Sequence, residues 1–372
     1  MKSHPDIEKI VPYVAGKPLE ELARELGIRN AIKLASNENP LGPSPLARRA
    51  IRAGLSRLHR YPDGSAFELK KGLARRWKVD LSHIVLGNGS NEVIELLVRT
   101  FLLPGDEAVM ASRTFSLYRL MVTAGHGRCI EVPLKEQRHD LSAMADRIND
   151  RTRLIFVCNP NNPTGSMVGK EEVRRFLQRV PPEILVVFDE AYGEYVTDVD
   201  FPDCLQALRE GRNLIVLHTF SKIYGLAGLR IGYGIGPADV VDYLNRVRQP
   251  FNTSAVAQWA ALAALSDEAH AARSREVNVE GKAYLSSVFE QMGISFVPSQ
   301  TNFIFFEGPC GGRELYDRLL RQGVIIRHID GNTYRVTIGL ASENRRFVRA
   351  FQKALKELKG NPPVDNEMKE QP

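Results

Sequence analysis

The sequence predicts an α/β fold: a mainly parallel, seven-stranded sheet flanked by helices, followed by a smaller α+β segment. Three observations support this. From about residue 83, short β-branched runs alternate with amphipathic helical stretches, the pattern of parallel strands joined by crossover helices. In ILVVFDE five apolar residues run straight into Asp189, as in a strand covered on both faces. After about residue 250 the texture changes to long Ala-rich helical sequence and then to further strands.

Taken in order, residues 1–35 read as an arm holding one short helix, PLEELARELG, stopped by Gly27. Ser44 followed by Pro45 opens the helix LARRAIRAGLSRL, and Ser65 with Glu68 forms a capping box ahead of FELKKGLARRWK. The seven expected strands are HIVLG, EAVMAS, CIEVPL, RLIFVCNP, ILVVFDE, NLIVLHTFS and LRIGYGIG, with helices such as KEEVRRFLQRV and ADVVDYLNRVRQ between them. Residues 36–250 form the large domain on this reading. Residues 251–360 form the small one, with ISFVPSQTNFIFFEG, the helix GRELYDRLLRQG and the strands VIIRHI and YRVTIGL. The final stretch, 361–372, has almost nothing to bury and should be disordered.

Length and composition agree with two cores. The chain has 372 residues, 43% of them hydrophobic, and single cores stop growing at roughly 250 to 300 residues. The net charge of +6 is spread along the chain with no basic block and no aromatic RNA-binding signature, which argues against nucleic acid and leaves a solvated surface or steering of anionic substrates. Cys129, Cys158, Cys204 and Cys310 lie far apart without metal spacing, so reduced thiols and no metal site are expected. The N-terminus carries charges where a signal peptide needs an apolar run, and no stretch approaches the roughly 18 apolar residues of a membrane span. A cytoplasmic protein without membrane contact is expected.

The chemistry gathers at strand ends. Asp189 closes a buried strand where ligands of open α/β sheets bind; alone, such an acid could equally ligate Mg²⁺, bind a ribose or cap a helix. Lys222 follows the next strand and precedes the Gly-rich turn IYGLAGLR, which ends at Arg230. Desolvation there can lower a lysine to a pKa of roughly 7 or 8 and make it a nucleophile toward carbonyls, although a solvated lysine is the commoner explanation of one such residue. Upstream, CNPNNPTG places the Asn162 amide at a third strand end. GNGSNEVIELL leads a glycine turn into a helix whose free N–H groups at Ser90 and Asn91 can hold an anion, joined by Thr219, Ser221 and Arg230. A phosphate is implied.

Together N-P-T-G, D-E-A-Y, S-K with an arginine eight residues on, and Y-R-V-T-I-G resemble the fold-type I, aspartate aminotransferase-like enzymes that depend on pyridoxal 5'-phosphate. LASNENPLGPSP, RYPDG and IVPYVAGKPLEELARELG resemble, more narrowly, the histidinol-phosphate aminotransferase family. The likeness spans about residues 7–358. It implies that Lys222 bonds the cofactor and later moves a proton, that Asp189 keeps the ring nitrogen protonated, and that Asn162 and Tyr192 hold the ring hydroxyl. It implies that Phe115 stacks on the ring, and that Ser90, Asn91, Thr219, Ser221 and Arg230 hold the phosphate together with Tyr61 of a neighbouring subunit. A homodimer follows, with the arm packed on the small domain and the partner. Arg335 matches the arginine that grips the glutamate α-carboxylate, while Arg327, Tyr13 and Asn37 match substrate-lining positions; for Arg327 and Tyr13 a surface ion pair and a packed arm residue remain open. The implied reaction moves an amino group between glutamate and histidinol phosphate. Arg113 stands where the family has proline, which should shift the backbone before Phe115, and Phe115 itself stands where the family has tyrosine.

Other readings compete. GYGIGPAD has the look of a dinucleotide turn, as in a dehydrogenase, but lacks the third glycine of that fingerprint. A regulator with a helix-turn-helix module needs about 60 residues ahead of the core motifs, which begin at Ser36. Aromatic amino acid aminotransferases and threonine-phosphate decarboxylases share the fold, so substrate stays open at this level.

Overall fold

A computed structural model describes residues 3–12, 16–309 and 312–360. Its strands are β1 (Ile32–Lys33), β2 (Ile84–Gly87), β3 (Glu107–Ala111), β4 (Arg128–Val132), β5 (Thr152–Cys158), β6 (Leu185–Asp189), β7 (Leu214–Thr219), β8 (Gly232–Ile235), β9 (Phe303–Glu307), β10 (Val324–Ile325), β11 (Arg327–Asp330) and β12 (Thr333–Thr337). The seven strands from β2 to β8 form one sheet in the order β2-β8-β7-β6-β5-β3-β4. Only β8 runs against its neighbours; the other pairs are parallel. This is the expected sheet, strand for strand.

Burial explains the unbroken apolar runs. Along β5, Leu154, Phe156 and Cys158 enter one apolar layer and Ile155 and Val157 the other, so helices cover both faces. The edge strand β4 differs, exposing Arg128 and Glu131, charges that discourage pairing with another chain. A second sheet, β11-β12-β9, is antiparallel, and its core holds Phe289, Phe306, Phe347 and Phe351.

Local signals were mostly obeyed. Ser44 accepts the Ala47 N–H at 3.3 Å to open Pro45–Gly54, and Gly27 ends Leu19–Leu26 at φ 70°. The capping box at Ser65 and Glu68 does not form. Asp63 acts instead, accepting the Phe67 N–H at 2.8 Å and the Ser65 hydroxyl at 2.7 Å, so the serine hydroxyl is already engaged when the helix begins at Phe67. The stretch VIIRHI is not one strand: β10 pairs with β1 in parallel, whereas β11 joins β12. Val324, Ile325 and Ile326 are all buried, and Ile326 belongs to neither strand, so the apolar run is split where the chain changes partners.

The arm divides. Helix Pro5–Glu8, which sequence patterning missed, packs on helix Leu117–Ala124, with the His4 ring 3.8 Å from that of His126. Leu22 is buried with Ala35, Leu320 and Ile325. The expected boundary near residue 250 falls just before Ala255–Leu265, whose Ala257, Ala260, Ala261 and Ala264 pack in the large-sheet core. Glycines of GYGIGPAD answer to packing: a Cβ on Gly232 would lie 2.4 Å from the Ser90 nitrogen, so residue 232 must be bare for the sheet to meet the start of helix Ser90–Phe101. Tyr13, Cys310 and residues 361–372 lie outside the described residues.

Candidate active site

The carboxyl ends of β5, β6 and β7 open into one cavity of about 270 Å³. Strand β6 delivers Asp189, which is 2% exposed. Its Oδ1 accepts the Ala191 N–H at 3.1 Å and its Oδ2 the Tyr118 hydroxyl at 2.7 Å. Burial drives the acid upward from the ordinary carboxylate range, and the Tyr118 hydroxyl, the Ala191 N–H and the Lys222 charge oppose it.

Lys222 follows β7 by three residues because Thr219 closes the strand. The side chain is half-buried at the cavity, and desolvation together with Arg335 lowers it to about 7. Nζ donates to the Ser36 carbonyl at 3.2 Å and sits 5.6 Å from the Tyr192 ring centre. A lysine so placed is substantially neutral near pH 7, which is what attack on a carbonyl carbon requires.

Opposite it, β12 presents Arg335, 8% exposed. The guanidinium donates to Asn162 Oδ1 and, at 2.7 Å, to the Ala35 carbonyl, and lies 5.0 Å from the Phe303 ring centre. Asn37 Nδ2 donates to the Tyr192 hydroxyl at 2.8 Å, and its own Oδ1 accepts from Thr337 at 3.1 Å. The polar wall is thus fixed by groups from both sheets.

The third wall is an anion cradle. Gly89 at φ 77° turns the chain into helix Ser90–Phe101, leaving N–H groups of the first turn without intrahelical partners. Arg230 faces them, its Nη1 donating to the Ala227 carbonyl at 3.1 Å and lying 3.4 Å from Ser221 Oγ. A Cβ on Gly89 would come within 2.6 Å of Arg230 Nη2, so the guanidinium approaches the turn only because residue 89 lacks a side chain.

Eleven of the expected residues line this cavity: Asn37, Ser90, Asn91, Phe115, Asn162, Asp189, Tyr192, Thr219, Ser221, Lys222 and Arg230, with Arg335 as a twelfth. Arg327 lies across from Arg335 in the β11–β12 register but does not line it. Tyr61 is 83% exposed, stacked on Phe251 at 4.8 Å and away from the cavity. Arg113 forms a two-point contact with Asp330 at 3.1 Å and lies 5.6 Å from the Phe305 ring centre; Phe115 lines the cavity despite the missing proline. Sequence reasoning missed Ser36, Glu38, Cys158, Ala191, Ala227 and, above all, Tyr118. An aromatic at the start of helix Leu117–Ala124 carries no local signal that sets it apart from a core residue.

The family model for aminotransferases of class I and II matches residues 29–351, the class of protein that this sheet and this lysine-bearing cavity define. Histidinol-phosphate aminotransferase of Moorella thermoacetica is 51% identical over 94% of this chain and 92% of its own length. Histidinol-phosphate aminotransferase 2 of Pseudomonas aeruginosa is 48% identical over 95% and 97%. The chain belongs to the histidinol-phosphate aminotransferase family. Among solved structures, histidinol-phosphate aminotransferase from Sinorhizobium meliloti in complex with pyridoxal-5'-phosphate superposes with a TM-score of 0.88 at 28% identity, covering 96% of this chain and 98% of that one. A Thermus thermophilus aspartate aminotransferase mutant shares the fold, with a TM-score of 0.83 over 95% of this chain and 100% of that one at 22% identity.

Proposed function

We propose that this aminotransferase uses pyridoxal 5'-phosphate to move an amino group between glutamate and imidazole-acetol phosphate, giving histidinol phosphate in histidine biosynthesis. One observation carries the reading: a depressed lysine, Lys222, and a hydrogen-bonded carboxylate, Asp189, open into the same cavity as an anion cradle. The donors fit the cofactor. Ser90, Asn91, Thr219, Ser221 and Arg230 suit its phosphate, Asp189 its ring nitrogen, Asn162 and Tyr192 its hydroxyl oxygen, and Phe115 its ring face. Bound, it supplies an electron sink for a carbon that loses a proton.

The chain's own groups do the rest. Lys222 Nζ, substantially neutral near pH 7, would hold the cofactor covalently and, when displaced by the substrate amine, would carry a proton off the substrate α-carbon. Asp189, whose charge two hydrogen bonds support against the upward push of burial, would sit at the ring nitrogen and favour its protonated form. Arg335 offers its fork to the α-carboxylate, already oriented by Asn162 and the Ala35 carbonyl. The names of the relatives support the substrate, and the exposure of Tyr61 supports a second copy that carries this tyrosine to the phosphate of its neighbour. No helix among the described residues is long and apolar enough to cross a membrane, in keeping with a proposed place in the cytoplasm.

A coupled assay offering histidinol phosphate, phenylalanine and threonine phosphate, each with 2-oxoglutarate, tests the substrate. Glutamate should form fastest from histidinol phosphate. Faster turnover of phenylalanine, or release of carbon dioxide from threonine phosphate, would reassign the activity.

A further inference from the structure

Tyr118 lies wholly buried under the cavity on helix Leu117–Ala124. Its hydroxyl donates to Asp189 Oδ2 at 2.7 Å, its ring stacks on Phe156 at 4.7 Å, and it meets Phe115 edge-on at 5.6 Å. One side chain therefore touches both the carboxylate at the end of β6 and the aromatic residue that lines the cavity.

We propose that Tyr118 is a positioning residue of the transamination, its hydroxyl orienting the Asp189 carboxylate and sustaining its negative charge. The inference rests on the reading of Asp189 as the partner of the ring nitrogen. A carboxylate at this depth is pushed toward its neutral form, which could no longer hold a proton on another atom. Two donors oppose that push, one on each oxygen. The Ala191 N–H comes from the turn that follows β6. The Tyr118 hydroxyl comes from a different element and so also sets the rotation of the carboxylate about its own axis. Burial and the neighbouring Asp189 charge hold the phenol well above its ordinary range, so it remains a donor at any working pH. Each carboxylate oxygen accepts more than one hydrogen bond, which leaves capacity for the ring nitrogen.

Tyr118→Phe removes one oxygen and keeps the ring that packs on Phe115 and Phe156. The cofactor-free variant is expected to melt within a few degrees of the parent. Its affinity for pyridoxal phosphate should fall about ten- to a hundredfold, the weight of a hydrogen bond to a charged group. The pH midpoint of the bound cofactor's visible absorption should rise by about half a unit or more. In turnover, kcat should fall at least about tenfold while the glutamate KM stays within about threefold. Parental affinity and parental absorption midpoint would overturn the proposal, and so would a lowered melting temperature with an unchanged midpoint, since that is a purely structural role. Asp189→Asn, run in parallel, separates the two readings: if it leaves the midpoint unchanged, the assignment of Asp189 fails. If it moves the midpoint and Tyr118→Phe does not, only the role of Tyr118 fails.

Discussion

Asp189 and Glu190 are neighbours in the chain, yet the pleat sends them to opposite faces of the sheet, and the clusters they join are built differently. On the cavity side, Asp189, Asn37, Asn162 and Arg335 are tied by directed hydrogen bonds. On the other face, Glu190, Glu194 and His218 sit beneath Trp77, which stacks on the histidine at 4.6 Å. The His218 nitrogens lie 3.9 Å and 3.7 Å from carboxylate oxygens of Glu190 and Glu194, too far for hydrogen bonds. Neither nitrogen has a hydrogen-bond partner among the described residues, and neither does either Glu194 oxygen. Burial pushes Glu190 up to about 8 and Glu194 up to about 7, and pushes His218 down to about 3. At similar depth, donors aimed at the Asp189 carboxylate oppose the upward push of burial, whereas at Glu194, whose two oxygens have no hydrogen-bond partner among the described residues, burial prevails.

The largest effect belongs to the cavity side. Lys222→Ala should lower turnover by at least about 10⁴-fold, as loss of a covalent catalyst does, with circular dichroism unchanged; a comparable loss in Glu190→Gln would break the contrast. In the parent, the rate at which the cofactor-free protein captures pyridoxal phosphate should rise through an inflection near pH 7, where Lys222 becomes neutral. An inflection near the ordinary lysine range would show that the site does not depress it.

Arg335→Ala should reduce kcat/KM for glutamate by about 10²- to 10³-fold, the cost of leaving a buried carboxylate without its partner. Steady-state kinetics decide this, and unchanged values would assign the carboxylate to another cation. Gly232→Ala should weaken cofactor binding by about tenfold or more, because the added methyl displaces the start of helix Ser90–Phe101; equilibrium dialysis reads it.

The smallest effect probes the other face. A folded-state pKa raised above the unfolded value means that Glu194 stabilises the fold fully below about pH 4.5, and that this contribution is lost as pH rises to about 7. Glu194→Gln does not titrate. Relative to the parent it should therefore gain ~1–3 kcal/mol between pH 4 and pH 8, measured by denaturant unfolding. A flat difference would mean that Glu194 is ionised and paired after all.

Much of this was legible in the sequence, for identifiable reasons. Asp189 and Lys222 declare themselves because a buried parallel strand is an unbroken apolar run, so a charge at its end marks the ligand side of the sheet. Ser90 and Asn91 follow from glycine spacing before a helix. Tyr118 was not legible in this way, since an aromatic on an amphipathic helix looks like core until the fold brings Asp189 against it. The alternation that places Arg335 inside is local, but whether Arg327 reaches the same cavity depends on the change of strand partner at Ile326, which has no local signature. The capping box failed because Asp63, two residues upstream, offers a stronger acceptor than the Ser65 hydroxyl.

The Asn37 backbone N–H donates to the Thr337 hydroxyl at 3.0 Å, and Arg335 reaches the Ala35 carbonyl, each across 300 residues of chain. During synthesis, then, nine-tenths of the polypeptide can have left the ribosome while the substrate wall still lacks its closing half. Catalytic competence arrives with the last strand, which leaves a truncated nascent chain without a finished carboxylate grip.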